Sequence, residues 1–159
     1  MTECYFVQSD LSTIDGNKKL IQEAKVKLGK IDTLINNAGT FQDTDFENIN
    51  KEKFDKTFNL NVRGYMFTSQ EFVKQISNDQ NNSSIICIGS SNSLAAEKNS
   101  VMYDTSKGAV LMMIKSMAVS LASKNIRVNG IGPGILETPL TSAGLNKGCL
   151  LYTSPSPRD

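Results

Sequence analysis

Two kinds of apolar pattern alternate along the chain. "CYFVQSD" (4–10) is short, apolar and rich in strand-forming residues, and "DLSTIDG" after it reads as a turn and helix cap. Leu20, Ala24 and Leu28 then recur at helical spacing over 17–28, with Lys and Glu between them. "IDTLINNAG" (31–39) is a second strand, and a long helical region over 50–78 carries Phe54, Phe58, Met66, Phe67, Phe72 and Val73. "SSIICIGSS" (83–91) is apolar almost throughout, as strands covered on both faces are. A helix over 101–123 follows, with Val110, Ile114, Met117 and Leu121 on one stripe, and "IRVNGIGPG" (126–134) is a fourth strand that breaks into a turn.

Strand–helix alternation implies βαβ crossovers and an α/β fold with a doubly wound parallel sheet. Ligands of such sheets bind beyond the carboxyl ends of the strands. The polar clusters fall at those ends: Asp10, residues 36–39, Ser90 with Ser91, and Pro133 with Gly134. Four separated segments are therefore expected to line one cleft.

Composition narrows the chemistry. The 159 residues suit one domain, with 39% apolar and 21% charged residues and a net charge of +1. No basic stripe is present, so neither nucleic acid nor an anionic membrane is an expected partner. No stretch is apolar enough to span a bilayer, and no signal peptide is visible, so a cytoplasmic location is expected. Cys4, Cys87 and Cys149 lie far apart without metal-ligand spacing, and there is no histidine. Zinc sites and histidine-dependent nucleophiles lose their usual parts, and no metal is expected. Acid–base chemistry must run on Tyr, Lys or carboxylates.

"YDTSK" places Tyr103 and Lys107 four apart on one helix face. An ammonium beside a phenol favours the phenolate, and such a pair moves protons at a carbonyl or hydroxyl. Alone it is a weak signal, since an exposed Tyr–Lys pair is common. Ser90, thirteen residues before Tyr103, could bond the same substrate oxygen, or simply end its strand. Asn61 in "NLNVRG" falls mid-helix, where a cleft-facing role, a local kink or a solvated surface position would each account for it.

Together these residues resemble the short-chain dehydrogenase/reductase family. "NNAG" (36–39), Asn61, "IGS" (88–90), "YDTSK" (103–107) and "RVNGIGPGILETPL" (127–140) occur in the family's order and spacing, from about Tyr5 to Thr141. The resemblance implies a Rossmann-like fold and NAD or NADP as cofactor. Tyr103 would be the general acid/base, Lys107 would lower its pKa and bond the nicotinamide ribose, and Ser90 would orient the substrate carbonyl. Asn61 would hold a water that links Lys107 to solvent. Asp10 and Leu11 would contact the adenine, Asn37, Ala38 and Gly39 the adenosine side, and Pro133, Gly134, Leu136 and Thr138 the nicotinamide. The substrate would be a small secondary alcohol or ketone, with residues 95–100 lining part of its pocket. By the same analogy, helices 61–78 and 101–123 would build a homotetramer or dimer. A silent dinucleotide-sensing protein is a rival that would be expected to lose Tyr103 or Lys107. A sugar-nucleotide epimerase or dehydratase fits "NNAG" and the Ser–Tyr spacing less well.

The family pattern also has parts that are not in this sequence. Its first strand, glycine-rich phosphate loop, helix and second strand have no counterpart, nor does its last strand. "GIGPG" (130–134) is no substitute, because Pro133 lacks an N–H and Pro139 interrupts a following helix. The resemblance thus implies a truncated domain over 1–148, inactive alone, with the residue that chooses NAD over NADP absent. "CLLYTSPSPRD" (149–159) resembles translated sequencing-adapter read-through and is expected to be a non-native tail.

Overall fold

The computed structural model describes residues 3–76, 82–134, 136 and 138. Helix α1 (Ile14–Leu28) starts where Thr13 accepts the Gly16 N–H at 3.0 Å. It ends at Gly29, whose φ of 71° turns the chain while its N–H bonds the Lys25 carbonyl. Strand β1 (Thr33–Asn36) follows, then α2 (Lys51–Phe58), a π-helical turn (Asn59–Gly64) and α3 (Tyr65–Gln75). Strand β2 (Ser84–Ile88), helix α4 (Val101–Leu121) and strand β3 (Arg127–Ile131) complete the order.

The strands form one parallel sheet in the order β1-β2-β3, with Ile85 opposite both Leu34 and Val128. Alternation sorts their side chains. Leu34, Ile85, Cys87 and Val128 enter a core with Tyr65 and Phe72 from α3 and Val110 and Met113 from α4. On the opposite face Ile35 and Ile131 stand 58% and 52% exposed.

Two expectations need correcting. Residues 4–10 form no strand: Phe6 is 85% exposed, and no neighbouring strand among the described residues offers them a ladder. The buried face of α1 is not the Leu20–Leu28 stripe but Gly16, Asn17 and Ile21, turned toward α3. Asn17, fully buried, causes this rotation, because Thr68 on α3 donates to its amide oxygen while its amide nitrogen reaches the carbonyls of Leu11 and Thr13.

The helical region 50–78 is continuous through residue 75 but contains the π-helical turn. Gly64 lies in that turn because the chain from Leu11 crosses it. A Cβ there would approach the Leu11 carbonyl oxygen to 2.7 Å. Residues 149–159, and most of 135–148, lie outside the described residues.

Candidate active site

The carboxyl ends of β1 and β2, the π-helical turn and the first two turns of α4 converge on Lys107. Its side chain is 4% exposed, and its ammonium donates to the Ile88 carbonyl at 2.8 Å. Burial lowers its pKa from 10.5 to about 8. The ammonium stands 5.6 Å from the centre of the Tyr103 ring, one helical turn earlier on α4. Phe41 packs edge-on against that ring at 5.2 Å.

The phenol of Tyr103 does not follow the sequence expectation. Its pKa is raised, chiefly by burial, with Asp104 and Glu97 adding to the rise, whereas a hydrogen bond with Ser90 pulls it down. The Lys107 ammonium, bonded to Ile88, supplies no net depression. Ser90 follows β2, and its hydroxyl also accepts the Asn92 N–H at 3.1 Å. Asn92 in turn donates to Asp104 at 2.7 Å, so the Ser90 loop is tied to α4.

Asn61 is fully buried in the π-helical turn. Its burial excludes the solvated surface position; it sits in a π-helical turn with its amide on Thr40 and Ser106. Its amide oxygen accepts the Thr40 N–H at 2.8 Å, and its amide nitrogen donates to the Thr40 carbonyl at 2.9 Å and the Ser106 hydroxyl at 3.0 Å. A methyl group on Gly39 would lie 3.4 Å from the Asn61 oxygen and 3.9 Å from the Lys107 nitrogen. The backbone of 39–40 therefore passes directly over these two polar groups, and glycine keeps that space open.

The other predicted residues sort by distance from this centre. Leu11, Asn37 and Ala38 line one cavity of about 90 Å³. Asp10 is exposed, and its pKa is lowered first by the Ser12 hydroxyl, then by the Ser12 N–H and Arg63. Its carboxylate thus stabilises its own turn. Pro133 is drawn to the centre, since its carbonyl accepts the Ser91 N–H at 2.9 Å. Gly134 and Leu136 are exposed, and Thr138 is half-buried. Thr40, Ser106, Tyr65 and the Ile88 carbonyl were missed by sequence reasoning. Ser106, inside "YDTSK", and Ile88, inside "IGS", lie within motifs the sequence singles out, whereas Thr40 and Tyr65 do not.

Among the described residues there is no cluster of metal ligands and no helix long and apolar enough to cross a membrane. A family model described as short chain dehydrogenase matches residues 1–147. The chain belongs to that family. It is 32% identical over 142 residues to an NADPH-dependent aldehyde reductase of Arabidopsis thaliana, covering 89% of this chain and 48% of the relative. A gluconate 5-dehydrogenase from Burkholderia cenocepacia, solved with NADP and tartrate, superposes with a TM-score of 0.81 at 28% identity. It matches 86% of this chain and 53% of its own. A 3-ketoacyl-(acyl-carrier-protein) reductase from Brucella melitensis, complexed with NADH, also gives 0.81, at 29% identity over 86% of this chain and 58% of its own. These likenesses establish the α/β Rossmann-like class for the three-stranded sheet. The chain spans about half the length of the relatives it matches.

Proposed function

We propose that this chain carries the proton-transfer half of an NAD(P)-dependent oxidoreductase that interconverts a secondary alcohol and a ketone. The observation that supports the reading best is the convergence of Ser90, Tyr103, Lys107 and Asn61, from three separate stretches, around one buried ammonium. The open space over Gly39 and the donors left on Lys107 beyond its bond to Ile88 fit a ribose edge. Lys107 and residues 37–39 would hold the dinucleotide, which supplies the hydride acceptor or donor when bound.

The side chains of this chain handle the proton. Tyr103 gives its phenolic proton to the forming alkoxide in reduction, or accepts the hydroxyl proton in oxidation. Ser90 bonds the same oxygen and holds the phenol toward it. Lys107 would hold the ribose edge, and Asn61 keeps the 39–40 segment over the ammonium in place. The substrate is a small-molecule alcohol or ketone, and assembly as a homo-oligomer is proposed from the family resemblance alone.

The test uses the longest reading frame that contains this sequence. Reduced nicotinamide is followed with NADH and with NADPH against hydroxysteroid, polyol-derived and 3-oxoacyl ketones. Hydride transfer that falls by about 10²–10⁴-fold in Tyr103→Phe is the expected result. Turnover retained in that variant would remove Tyr103 from the reaction.

A further inference from the structure

Two aromatic rings, not one, flank the Lys107 ammonium. The Tyr65 ring centre lies 5.5 Å from it, as near as that of Tyr103. Tyr65 is the first residue of α3 after the π-helical turn and is 2% exposed. Its hydroxyl donates to the Ile88 carbonyl at 3.3 Å, the same oxygen that takes the Lys107 proton donor at 2.8 Å. That carbonyl belongs to the last residue of β2. One backbone oxygen thereby fixes the tip of the tyrosine and the head of the lysine.

Burial disfavours the charged lysine, and a desolvated ring within about 6 Å attracts it. We propose that Tyr65 is a positioning residue for Lys107, its ring holding the ammonium beside Tyr103 and its hydroxyl bracing the shared Ile88 carbonyl. The inference rests on Lys107 belonging to the proton-transfer site.

Among the described residues, the titratable groups that face the ammonium are few. Cys87 approaches from β2, Tyr65 from α3 and Tyr103 from its own helix, with Asp104 and Glu97 acting on Tyr103. Burial raises the Cys87 thiol above 9.0 and both phenols above 10.0. Near pH 8 the lysine is therefore the member of this group that changes charge.

The experiment is a carbon NMR titration of the whole 159-residue chain labelled at lysine Cε, with the Lys107 signal identified by its loss in Lys107→Arg. Tyr65→Leu is expected to lower the Lys107 midpoint by roughly half a pH unit to one unit. Tyr65→Phe keeps the ring and is expected to hold the midpoint at or above the wild-type value. Placing singly and then triply fluorinated phenylalanine at position 65 drains the ring's negative face with little change of shape, and the midpoint should fall stepwise. This series decides the matter if the leucine variant does not fold. A midpoint unmoved by fluorination, or one that falls in Tyr65→Phe as far as in Tyr65→Leu, overturns the proposal. The titration reads ionisation and not turnover, so its failure would leave the role of Tyr103 standing, and loss of that role would leave the titration unchanged.

Discussion

Asn61 and Thr40 clasp each other through two reciprocal hydrogen bonds, the Thr40 N–H to the Asn61 oxygen at 2.8 Å and the Asn61 nitrogen to the Thr40 carbonyl at 2.9 Å. The side-chain amide thus acts as a strand partner for one residue of backbone. Asn61→Ala leaves both Thr40 groups without that partner and opens the Ser106 contact. A loss of about 2 kcal/mol is expected, read as a fall of roughly 4–8 °C in Tm. Asn61→Asp should lose at least as much, because a carboxylate oxygen would face the Thr40 carbonyl. Unchanged melting in both variants would show that the clasp contributes nothing.

Lys107 makes stability depend on pH with a definite sign. Its folded pKa of about 8 lies below the 10.5 of the free side chain. Between these values the unfolded chain binds more protons than the folded one, so stability rises with pH and is lost as pH falls toward 8. Cys87 works the other way, since a raised thiol pKa costs stability above 9.0. Cys87 begins to oppose the lysine toward pH 9, so the share of Lys107 is read as the difference between wild type and Lys107→Met. From pH 8 to 9 the lysine's share of the gain in urea unfolding should be about 1 kcal/mol. In Lys107→Met the gain should vanish, leaving only the opposite slope of Cys87, and a gain that persists there belongs to another group.

Ser90 lowers the pKa of the Tyr103 phenol by its hydrogen bond. Its removal in Ser90→Ala should therefore raise that pKa. In alcohol oxidation, where the phenolate takes the proton, the alkaline rise of kcat/KM should move to higher pH. Ser90→Thr keeps the hydroxyl and should leave the profile near its wild-type position. Two coincident profiles for the alanine variant and wild type would refute the link.

Gly64→Ala places a methyl group 2.7 Å from the Leu11 carbonyl oxygen and 3.5 Å from that of Asn59. Both are backbone atoms, so a side-chain rotation cannot relieve the clash. A cost of about 1–3 kcal/mol is expected. Amide shifts of Leu11 and Ser12 should move with it, because the segment 10–13 must lift from the π-helical turn. A variant as stable as wild type, with unmoved amides, would mean that the crossing is loose.

The alternation of strand and helix was legible because short apolar runs at β1, β2 and β3 alternate with longer stretches at helical spacing, as in α4. The assembly of Ser90, Tyr103 and Lys107 was legible for a related reason: residues at strand ends and on one helix face meet wherever a parallel sheet forms. Asn61 could be noticed as a misfit, but not its partners, since Thr40 and Ser106 lie twenty-one and forty-five positions away. Tyr65 gave no signal at all, being an aromatic residue in an apolar helix. The direction of the Tyr103 pKa was misread for an electrostatic reason. Spacing places a lysine beside a tyrosine, but only the folded chain shows that the phenol is buried and that this desolvation sets the direction of its pKa. The segment 4–10 was misread because a strand is a property of a pair.

The π-helical turn at Asn59–Gly64 also behaves as a stored insertion. A π turn takes up one more residue than an α turn while the helices on either side keep their rotational phase. Deleting one residue from this stretch would close it to ordinary α-helix. Phe72 would still point into the core, but Asn61 would leave its place under Thr40, and the fold would survive the loss of a letter that the site would not.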